Sequence, residues 1–470
     1  MEKKLKFFKD RLKDSFDVKY REVDTALGKA TCIFIDVLCG TSFVSEYIVK
    51  PLVLEKEHVF TLKDICCKVL SINTVGYPKD DEDALLHILS GDVIIIFENE
   101  KGMIYCEAKN IASRGVGIPV TESVLKGPRE GFTELFVDNV ALIRKRVKNS
   151  DLKFEAIYVG EKSKTVVCVT YIQGLAPKEL IDYVRSKIKE LDYQFILDTN
   201  YIEDKLRYKN TVFDTVGYTE KPDETVAKLM EGRVGVIVDG TPFVITTPFF
   251  FLENFHMPDD YYLNKYFVNF TRTLRWIAFF IATFMPGIYV ATICYHYSMI
   301  PSLFVFRLAV SRAGVPFPTI IEVLIMMTFF QLIKEAGLRL PQPIGTAMSI
   351  VAALILGDAA VGAGLASRIT ILVIAISALS YFLIPKSYGA MSIWSIIIVL
   401  FSAFLGLPGF FAATLLLVTH LANLKSSGYS YLFPIGTAKE YKFKDLVFRG
   451  NLDNISKKVI EEDDIDEKKL

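Results

Sequence analysis

The sequence predicts an α/β (α+β) cytoplasmic domain of two similar subdomains, followed by an all-α polytopic transmembrane domain. Between Trp276 and Leu424 only nine residues are Asp, Glu, Lys or Arg, whereas the other 321 residues of the 470-residue chain carry 99. A stretch that long and that apolar belongs in a membrane. In the preceding part, strand-like and helix-like patterns alternate, and one order of segments occurs twice.

Composition argues against several classes of protein. The formal net charge is zero, and no basic stripe indicates a nucleic-acid partner. The seven cysteines form no C-x-x-C pair and the five histidines are scattered, so we expect no zinc site, no disulfide framework and no cofactor.

The amino-terminal segment, residues 1–24, is basic and amphipathic. No long apolar run follows it, so we expect no signal peptide and a cytoplasmic location for roughly the first 270 residues. Arg272 and Arg275 stand just before the first apolar span. Their position agrees with the positive-inside rule.

Two similar α/β subdomains are predicted at 25–108 and 154–250. In the first, TCIFIDVL (31–38) is a β-rich run that leads into an amphipathic helix. In the second, 165–188 again has the order strand, loop, helix, and 224–246 has the order helix, strand, hairpin, strand. We interpret this as a repeat, with chance similarity of two α/β units as the alternative.

Residues 109–153 are predicted as a Gly/Pro-rich linker followed by a helix. The linker carries a motif that consists of Gly127, Pro128, Arg129, Glu130, Gly131 and Phe132. Backbone N–H groups at such a turn can hold an anion, but the spacing fits neither a P-loop nor a dinucleotide motif. We therefore interpret the motif as a hinge and assembly determinant, with Arg129 and Glu130 at the start of the helix. No catalytic set is apparent, so we expect no enzyme.

A juxtamembrane connector (251–275) leads to a transmembrane helical domain (276–424) and a charged cytoplasmic tail (425–470). One crossing needs about 20 apolar residues. Candidate crossings lie at 276–295, 318–337, 343–366, 368–385 and 391–424. The last block suggests two short crossings or one helix broken at GLPGF, and the short segment 300–316 suggests an interfacial or re-entrant helix. Six crossings are our working number, with five as the alternative.

Four ionisable side chains within the apolar region are candidates for an ion path or for structural ion pairs: Arg307, Arg312, Glu322 and Asp358. A carboxylate in mid-bilayer costs about 2.5 kcal/mol or more, so it faces a partner or water. Either arginine could pair with either acid. A column of small residues lets helices approach closely, within one bundle or between subunits. It consists of Gly345, Ser349, Ala353 and Gly357.

Several long strings stand in an order typical of one known family. They are GPREGFTELFVDNVALIRKRVK (127–148), YIQGLA (171–176), EKPDETVAKLMEGRVGVIVDGTPFVITTP (220–248), PDDYY (258–262) and the apolar stretch 315–367. On these strings the chain resembles the A subunit of spore germinant receptors, the GerA family, from about Arg21 to Pro434. Val37 and Ser430 depart from the family pattern. A stage V sporulation paralogue shares the fold, but PREGF and PFPTIIEVL favour the receptor subunit.

The resemblance implies a multi-pass protein of the spore inner membrane, with its amino-terminal domain toward the spore core. It implies two partners, a transporter-like B subunit that binds the nutrient and a lipoprotein C subunit. It also implies a homo-oligomer, a pentamer by family analogy, that forms a nutrient-gated channel for monovalent cations and starts germination. A scaffold or signalling subunit without its own pore, and a small-nutrient transporter, are the alternatives.

Overall fold

The computed structural model describes residues 2–55, 59, 61–100, 102–109, 119, 121–339, 357–435 and 445–451. Its amino-terminal part contains two five-stranded sheets with helices, and its carboxyl-terminal part is dominated by apolar helices. The predicted fold class is thereby confirmed.

The first sheet is antiparallel, with the strand order β1-β2-β4-β5-β3. Its strands are β1 (Val18–Thr25), β2 (Gly28–Ile35), β3 (Val75–Gly76), β4 (Asp92–Phe97) and β5 (Met103–Glu107). Helices α1 (Glu2–Arg11) and α2 (Asp81–Leu89) cover one face. Helical turns at Thr41–Phe43, Val44–Val49, Lys50–Leu54, Leu62–Asp64 and Ile65–Val69 pack near the other face. Burial on both faces explains the unbroken apolar run of β4.

Strand β1 lies almost wholly within the range 1–24 that the sequence predicted as a separate segment. It pairs with β2 from Val18↔Ile35 to Thr25↔Gly28, so the first sheet begins earlier than predicted. The reason is that β1 is an edge strand of sequence VKYREVDT, with only three buried residues. Its apolar pattern is therefore too weak to indicate a strand.

The second sheet repeats the first, with the order β6-β7-β9-β10-β8. Its strands are β6 (Leu152–Val159), β7 (Thr165–Ile172), β8 (Gly217–Thr219), β9 (Val234–Val238) and β10 (Val244–Thr247). Helices α3 (Phe136–Arg146) and α6 (Pro222–Met230) cover one face, and α4 (Lys178–Lys189) and α5 (Asn200–Leu206) cover the other. Both sheets therefore place their strands in the same positions.

The helical part contains six longer helices among the residues described. They are α7 (Lys265–Tyr295), α8 (Ser302–Arg312), α9 (Thr319–Arg339), α10 (Arg368–Tyr381), α11 (Tyr388–Leu405) and α12 (Leu407–Asn423). Helix α7 begins eleven residues before the predicted span, and α8 is shorter than 300–316. The block 391–424 is divided at Gly406, whose φ of +64° ends α11 and starts α12. Of the predicted span 343–366, residues 357–362 are helical and 343–356 lie outside the described residues.

We call the end of the bundle that touches the α/β part the near end, and the opposite end the far end. Helix α7 starts at the near end, where Arg275 Nη1 donates to the Phe255 carbonyl at 2.8 Å. At the far end, the Tyr295 hydroxyl donates to the Ala403 carbonyl of α11 at 2.6 Å. Helices α7 and α11 therefore both run from the near end to the far end.

The other helices return toward the near end. Helix α12 follows the far-end turn at Gly406 and ends where His420 Nε2 lies 3.1 Å from Thr211 Oγ1 of the α/β part. Helix α10 ends beside the start of α11, where the rings of Tyr381 and Tyr388 are 5.3 Å apart. The side chain of Gln331, late in α9, also accepts a hydrogen bond from Tyr388. Among the described helices, α7 and α11 thus run from the near end to the far end, and α9, α10 and α12 run in the opposite direction.

An aromatic core joins the second subdomain to the near end. It contains Phe251, Phe255, Phe279 and Tyr431, among others. Phe255 stacks on Trp276 with ring centroids 3.9 Å apart. Because these side chains are buried from both sides, the two parts of the chain pack as one body at this junction.

Two described helical stretches, Lys265–Tyr295 and Pro385–Leu405, are long and apolar enough to cross a membrane. Arg368–Tyr381 and Leu407–Asn423 are shorter apolar helices. Large apolar side chains also point outward, such as Phe404, which is 77% exposed. An outer surface of this kind is typical of helices that face lipid.

Candidate functional site

The Glu322 carboxylate lies in the first turn of α9 and is completely buried. Its Oε2 accepts hydrogen bonds from the Ser367 N–H at 3.0 Å and from Thr370 Oγ1 at 2.9 Å. Both donors stand at the start of α10, where Ser367 is the N-cap. A carboxylate here is favoured because a helix amino terminus presents free N–H groups and a positive dipole end.

Arg312, the last residue of α8, places Nη2 3.3 Å from Glu322 Oε1. The Tyr289 hydroxyl of α7 lies 2.8 Å from Thr370 Oγ1. We call Tyr289, Arg312, Glu322, Ser367 and Thr370 the Glu322 cluster. It joins α7, α8, α9 and α10 at the far end. A buried acid with three polar partners acts as a structural connection, because removing any partner leaves an uncompensated group.

The other two charged candidates are not part of this cluster. Arg307 lies on the exposed surface of α8, and Asp358 is exposed in the helical residues 357–362. Within the described ranges neither forms an ion pair, so the structure brings together only Glu322 and Arg312 of the four. Gly357 of the small-residue column is partly exposed. Gly345, Ser349 and Ala353 lie outside the described residues.

The linker motif packs against the second subdomain. Gly127 has a φ of +126°, and an added Cβ would lie 2.6 Å from the ring of Tyr262. The Pro128 carbonyl accepts a hydrogen bond from Lys221 Nζ at 2.7 Å. The buried Phe132 donates its N–H to the Glu220 carbonyl at 2.8 Å. These contacts fix the path of the linker.

Arg129 and Glu130 do not stand at the start of α3, as the sequence suggested. Glu130 lies 2.9 Å from Lys145 Nζ and 2.6 Å from Arg146 Nη2, at the opposite end of that helix. The hydrogen bond to Lys145, with that to Arg146, lowers the pKa of Glu130. Arg129 is exposed, and Gly131 is buried. The N–H of Phe136 at the start of α3 instead donates to Asp239 Oδ1 at 3.3 Å. The linker runs antiparallel to α3 and does not cap its amino terminus.

A second cluster was not predicted. Lys386, in the turn between α10 and α11, places Nζ 3.1 Å from Glu122 Oε1 of the linker and 3.5 Å from Glu224 Oε1 of α6. We call Lys386, Glu122 and Glu224 the Lys386 cluster. The three side chains are only 14%, 9% and 22% exposed. The cluster therefore joins the linker, the second subdomain and the near end of the bundle.

Glu122 is a buried carboxylate with few hydrogen-bond donors around it. Its Oε2 accepts from the Glu220 N–H at 3.1 Å and from the Thr219 hydroxyl. Burial and then the charge of Glu224 raise the pKa of Glu122, while Lys386 opposes them. The cluster contains two carboxylates and one ammonium group, so most of the negative charge is balanced by Lys386. The sequence held one signal, since Lys386 is the only charged residue between Ile369 and Leu424.

The connector carries a third set of ion pairs at the start of α7. Asp260 Oδ2 lies 2.8 Å from Arg272 Nε and 2.7 Å from Arg275 Nη1. Arg272 Nη1 also contacts Asp445 Oδ1 at 2.5 Å. Burial alone would raise the pKa of Asp260, but the two arginines lower it. The positive residues before the first span are thus paired with the PDDYY motif and the tail.

The Glu322 cluster and the Lys386 cluster consist of contacts that hold structural elements together. Among the residues that the structure describes, no group of three or more His, Cys, Asp or Glu side chains could hold a metal ion. The two clusters instead sit at opposite ends of the helical bundle. Each cluster joins helix ends to a neighbouring element.

A family described as Bacillus/Clostridium GerA spore germination protein matches residues 6–459. The chain is 33% identical over 440 residues to the Uncharacterized membrane protein YfkQ of Bacillus subtilis (strain 168), covering 92% of this chain and 85% of that protein. It is 32% identical over 422 residues to Spore germination protein KA of the same organism, covering 89% and 78%. It is 32% identical over 450 residues to Spore germination protein GerLA of Bacillus cereus, covering 93% and 91%.

Among solved structures, the chain is similar to the N-terminal domain of the A subunit of the Bacillus megaterium spore germinant receptor GerK3. The sequence identity is 25% and the TM-score is 0.40. The match covers 52% of this chain and 92% of that one.

Proposed function

Because the chain belongs to the GerA family of Bacillus/Clostridium spore germination proteins, we propose that it is the A-type subunit of a nutrient germinant receptor. In this proposal it lies in the spore inner membrane with its α/β part toward the core. It acts with a transporter-like B subunit and a lipoprotein C subunit. It forms a homo-oligomer, a pentamer by family analogy, around a path for monovalent cations.

Membrane placement is supported by the helical part. Its described long helices run in both directions between the two ends of the bundle, and many of their large apolar side chains are exposed. Lys265, Arg272 and Arg275 stand at the near end of α7. A positive flank at this end favours a cytoplasmic, and hence core-facing, α/β part.

The observation that carries the proposal is the Lys386 cluster. A signal received by the α/β part reaches the membrane only through contacts that join the two, and this cluster joins the interdomain linker to the turn between α10 and α11. Separating these largely buried charges is costly, so the cluster stays intact until another conformation of the protein is stabilised. We propose that a change in the partner subunits shifts the linker and moves α10 and α11 through Lys386.

The two predicted acids take different roles in this account. Glu322 is enclosed by Arg312 and the start of α10, so we assign it to holding the far end together. Asp358 is exposed and stays our candidate for the ion path. An acidic side chain repeated by symmetry would form the kind of ring that favours cations in a pore.

The test is reconstitution of the complete receptor, with B and C subunits, into planar bilayers. We expect a nutrient-dependent cation current that Asp358→Asn reduces while the protein still assembles. Glu322→Gln is the matched comparison, and it should impair assembly or folding first. Unchanged current in Asp358→Asn would exclude Asp358 from the path. A germination-competent receptor that passes no current would support the scaffold alternative instead.

A further inference from the structure

A cleft of about 730 Å³ opens at the far end, between α8 and the turn that precedes α10. Two arginines line the cleft. Arg307 belongs to α8, and Arg368 is the first residue of α10. Its floor includes Gly314 and Gly364, two turns with positive φ. An added Cβ at Gly364 would lie 3.0 Å from the Gly314 carbonyl oxygen, so the two turns are in close contact.

The cleft carries two positive charges that have no counter-charge among the residues that the structure describes. Arg307 and Arg368 are exposed, and neither forms an ion pair with any residue that the structure describes. The nearby Arg312 is neutralised by Glu322 at 3.3 Å. With the α/β part in the cytoplasm, the far end would lie on the opposite side of the membrane, where lysine and arginine are less frequent. Two exposed guanidinium groups, with no ion-pair partner among the described residues, are therefore available at this end to bind an anion.

The surface beside the cleft is apolar. Helix α8 buries only Leu308, while Leu303 and Phe306 are 69% and 68% exposed and Phe306 also lines the cleft. A short helix of this kind, with apolar side chains next to arginine, is typical of segments that lie in the interface of a bilayer. Guanidinium groups bind phosphate oxygens in a bidentate manner.

We propose that the cleft binds an anionic phospholipid of the far leaflet. The phosphate lies between Arg307 and Arg368, and the acyl chains lie along Leu303 and Phe306. The apolar flank favours a lipid over free inorganic phosphate, which would gain nothing from it. The site rests on the proposed membrane placement, and its two positive charges exclude Arg307 from a cation path. Lipid binding here would fix α8, and through Arg312 the Glu322 cluster.

The experiment uses the full chain, purified in detergent and delipidated. Thermal stabilisation and retained lipid, by native mass spectrometry, are measured with phosphatidylglycerol, phosphatidylcholine or inorganic phosphate. We expect phosphatidylglycerol to bind most tightly, and the double variant Arg307→Gln/Arg368→Gln to weaken its binding about thirtyfold, from about 1 kcal/mol for each basic residue. Arg307→Lys/Arg368→Lys should retain part of the preference. The matched control, Arg11→Gln/Arg339→Gln, removes two exposed charges elsewhere and should not alter it.

Equal binding of the two lipids, or a double variant that matches its control, would overturn the proposal. Full stabilisation by inorganic phosphate alone would identify a free-anion site instead. A change in oligomeric mass without a change in retained lipid would mean that a second copy of the chain covers the cleft. Carbonate-washed membranes give a separate readout, because loss of the chain from them would contradict membrane placement rather than the lipid site.

Discussion

Replacement of Lys386 by Met should open the junction between the linker and the helical bundle. At an effective dielectric constant of about 20, unit charges 3.1–3.5 Å apart attract by about 5 kcal/mol, before the cost of desolvation. Breaking a buried ion pair from one side costs about 3–5 kcal/mol, because the remaining charge is left uncompensated. Here two carboxylates remain, and they repel each other.

The assay is hydrogen exchange of the linker residues 121–135 in the purified full chain. A local loss of about 3 kcal/mol corresponds to roughly a hundredfold faster exchange through local opening. Adding Glu122→Gln to Lys386→Met should recover much of the protection, since it removes the most buried acid. The matched control is Lys187→Met, whose exposed pair with Glu190 at 3.3 Å should be worth less than about 1 kcal/mol.

The result that would refute this reasoning is exchange in Lys386→Met that stays within a few-fold of the unaltered protein. The cluster would then contribute nothing to docking of the linker. Failure of the second substitution to restore protection would instead mean that Lys386 acts by packing rather than by charge.

Three further predictions concern other contacts. Glu322→Gln should lower the thermal unfolding midpoint clearly, since a buried partner costs about 3–5 kcal/mol, whereas Asp358→Asn should change stability by less than about 0.5 kcal/mol. Burial, aided by the charge of Arg272, lowers the pKa of His256 to about 4. Its neutral form therefore contributes stability above pH 6.5 that is lost as the pH falls toward 4, about 1.4 kcal/mol by pH 5.5. His256→Asn should flatten this slope in thermal melts taken from pH 8 to 5, and an unchanged slope would exclude His256 as its source. Gly127→Ala should cost about 1–3 kcal/mol through strain and contact with Tyr262. Gly174→Ala, at φ +83° but in open space, is the control for strain alone.

Much of the fold follows from local patterns, because buried strands and apolar helices leave a strong periodic signal. The order of strand, helix and hairpin segments indicated the repeat, which the two sheets display with the same strand order. Strand β1 gave no such signal, since it lies at an edge and half of its residues are exposed. The break at Gly406 was visible as GLPGF, because glycine permits the positive φ that ends α11.

The contacts of the site were less predictable, because they join residues that are distant in the sequence. A requirement for partners could be predicted for Glu322, but not the choice of Arg312 over Arg307, which depends on where α8 ends. Lys386 and Glu122 are separated by 264 positions, and no periodicity relates them. Glu130 was expected at the start of α3 because it precedes that helix, yet the linker folds back along it.

The most direct test of membrane placement is the accessibility of two cysteines to a membrane-impermeant maleimide in intact cells. One is native Cys67, exposed in the α/β part, and the other is introduced by Ser298→Cys in the far-end turn of a Cys294→Ser chain. Our account predicts labelling at position 298 from outside and labelling of Cys67 only after permeabilisation. Labelling of both positions to the same extent before and after permeabilisation, or recovery of the chain in the soluble fraction, would contradict it.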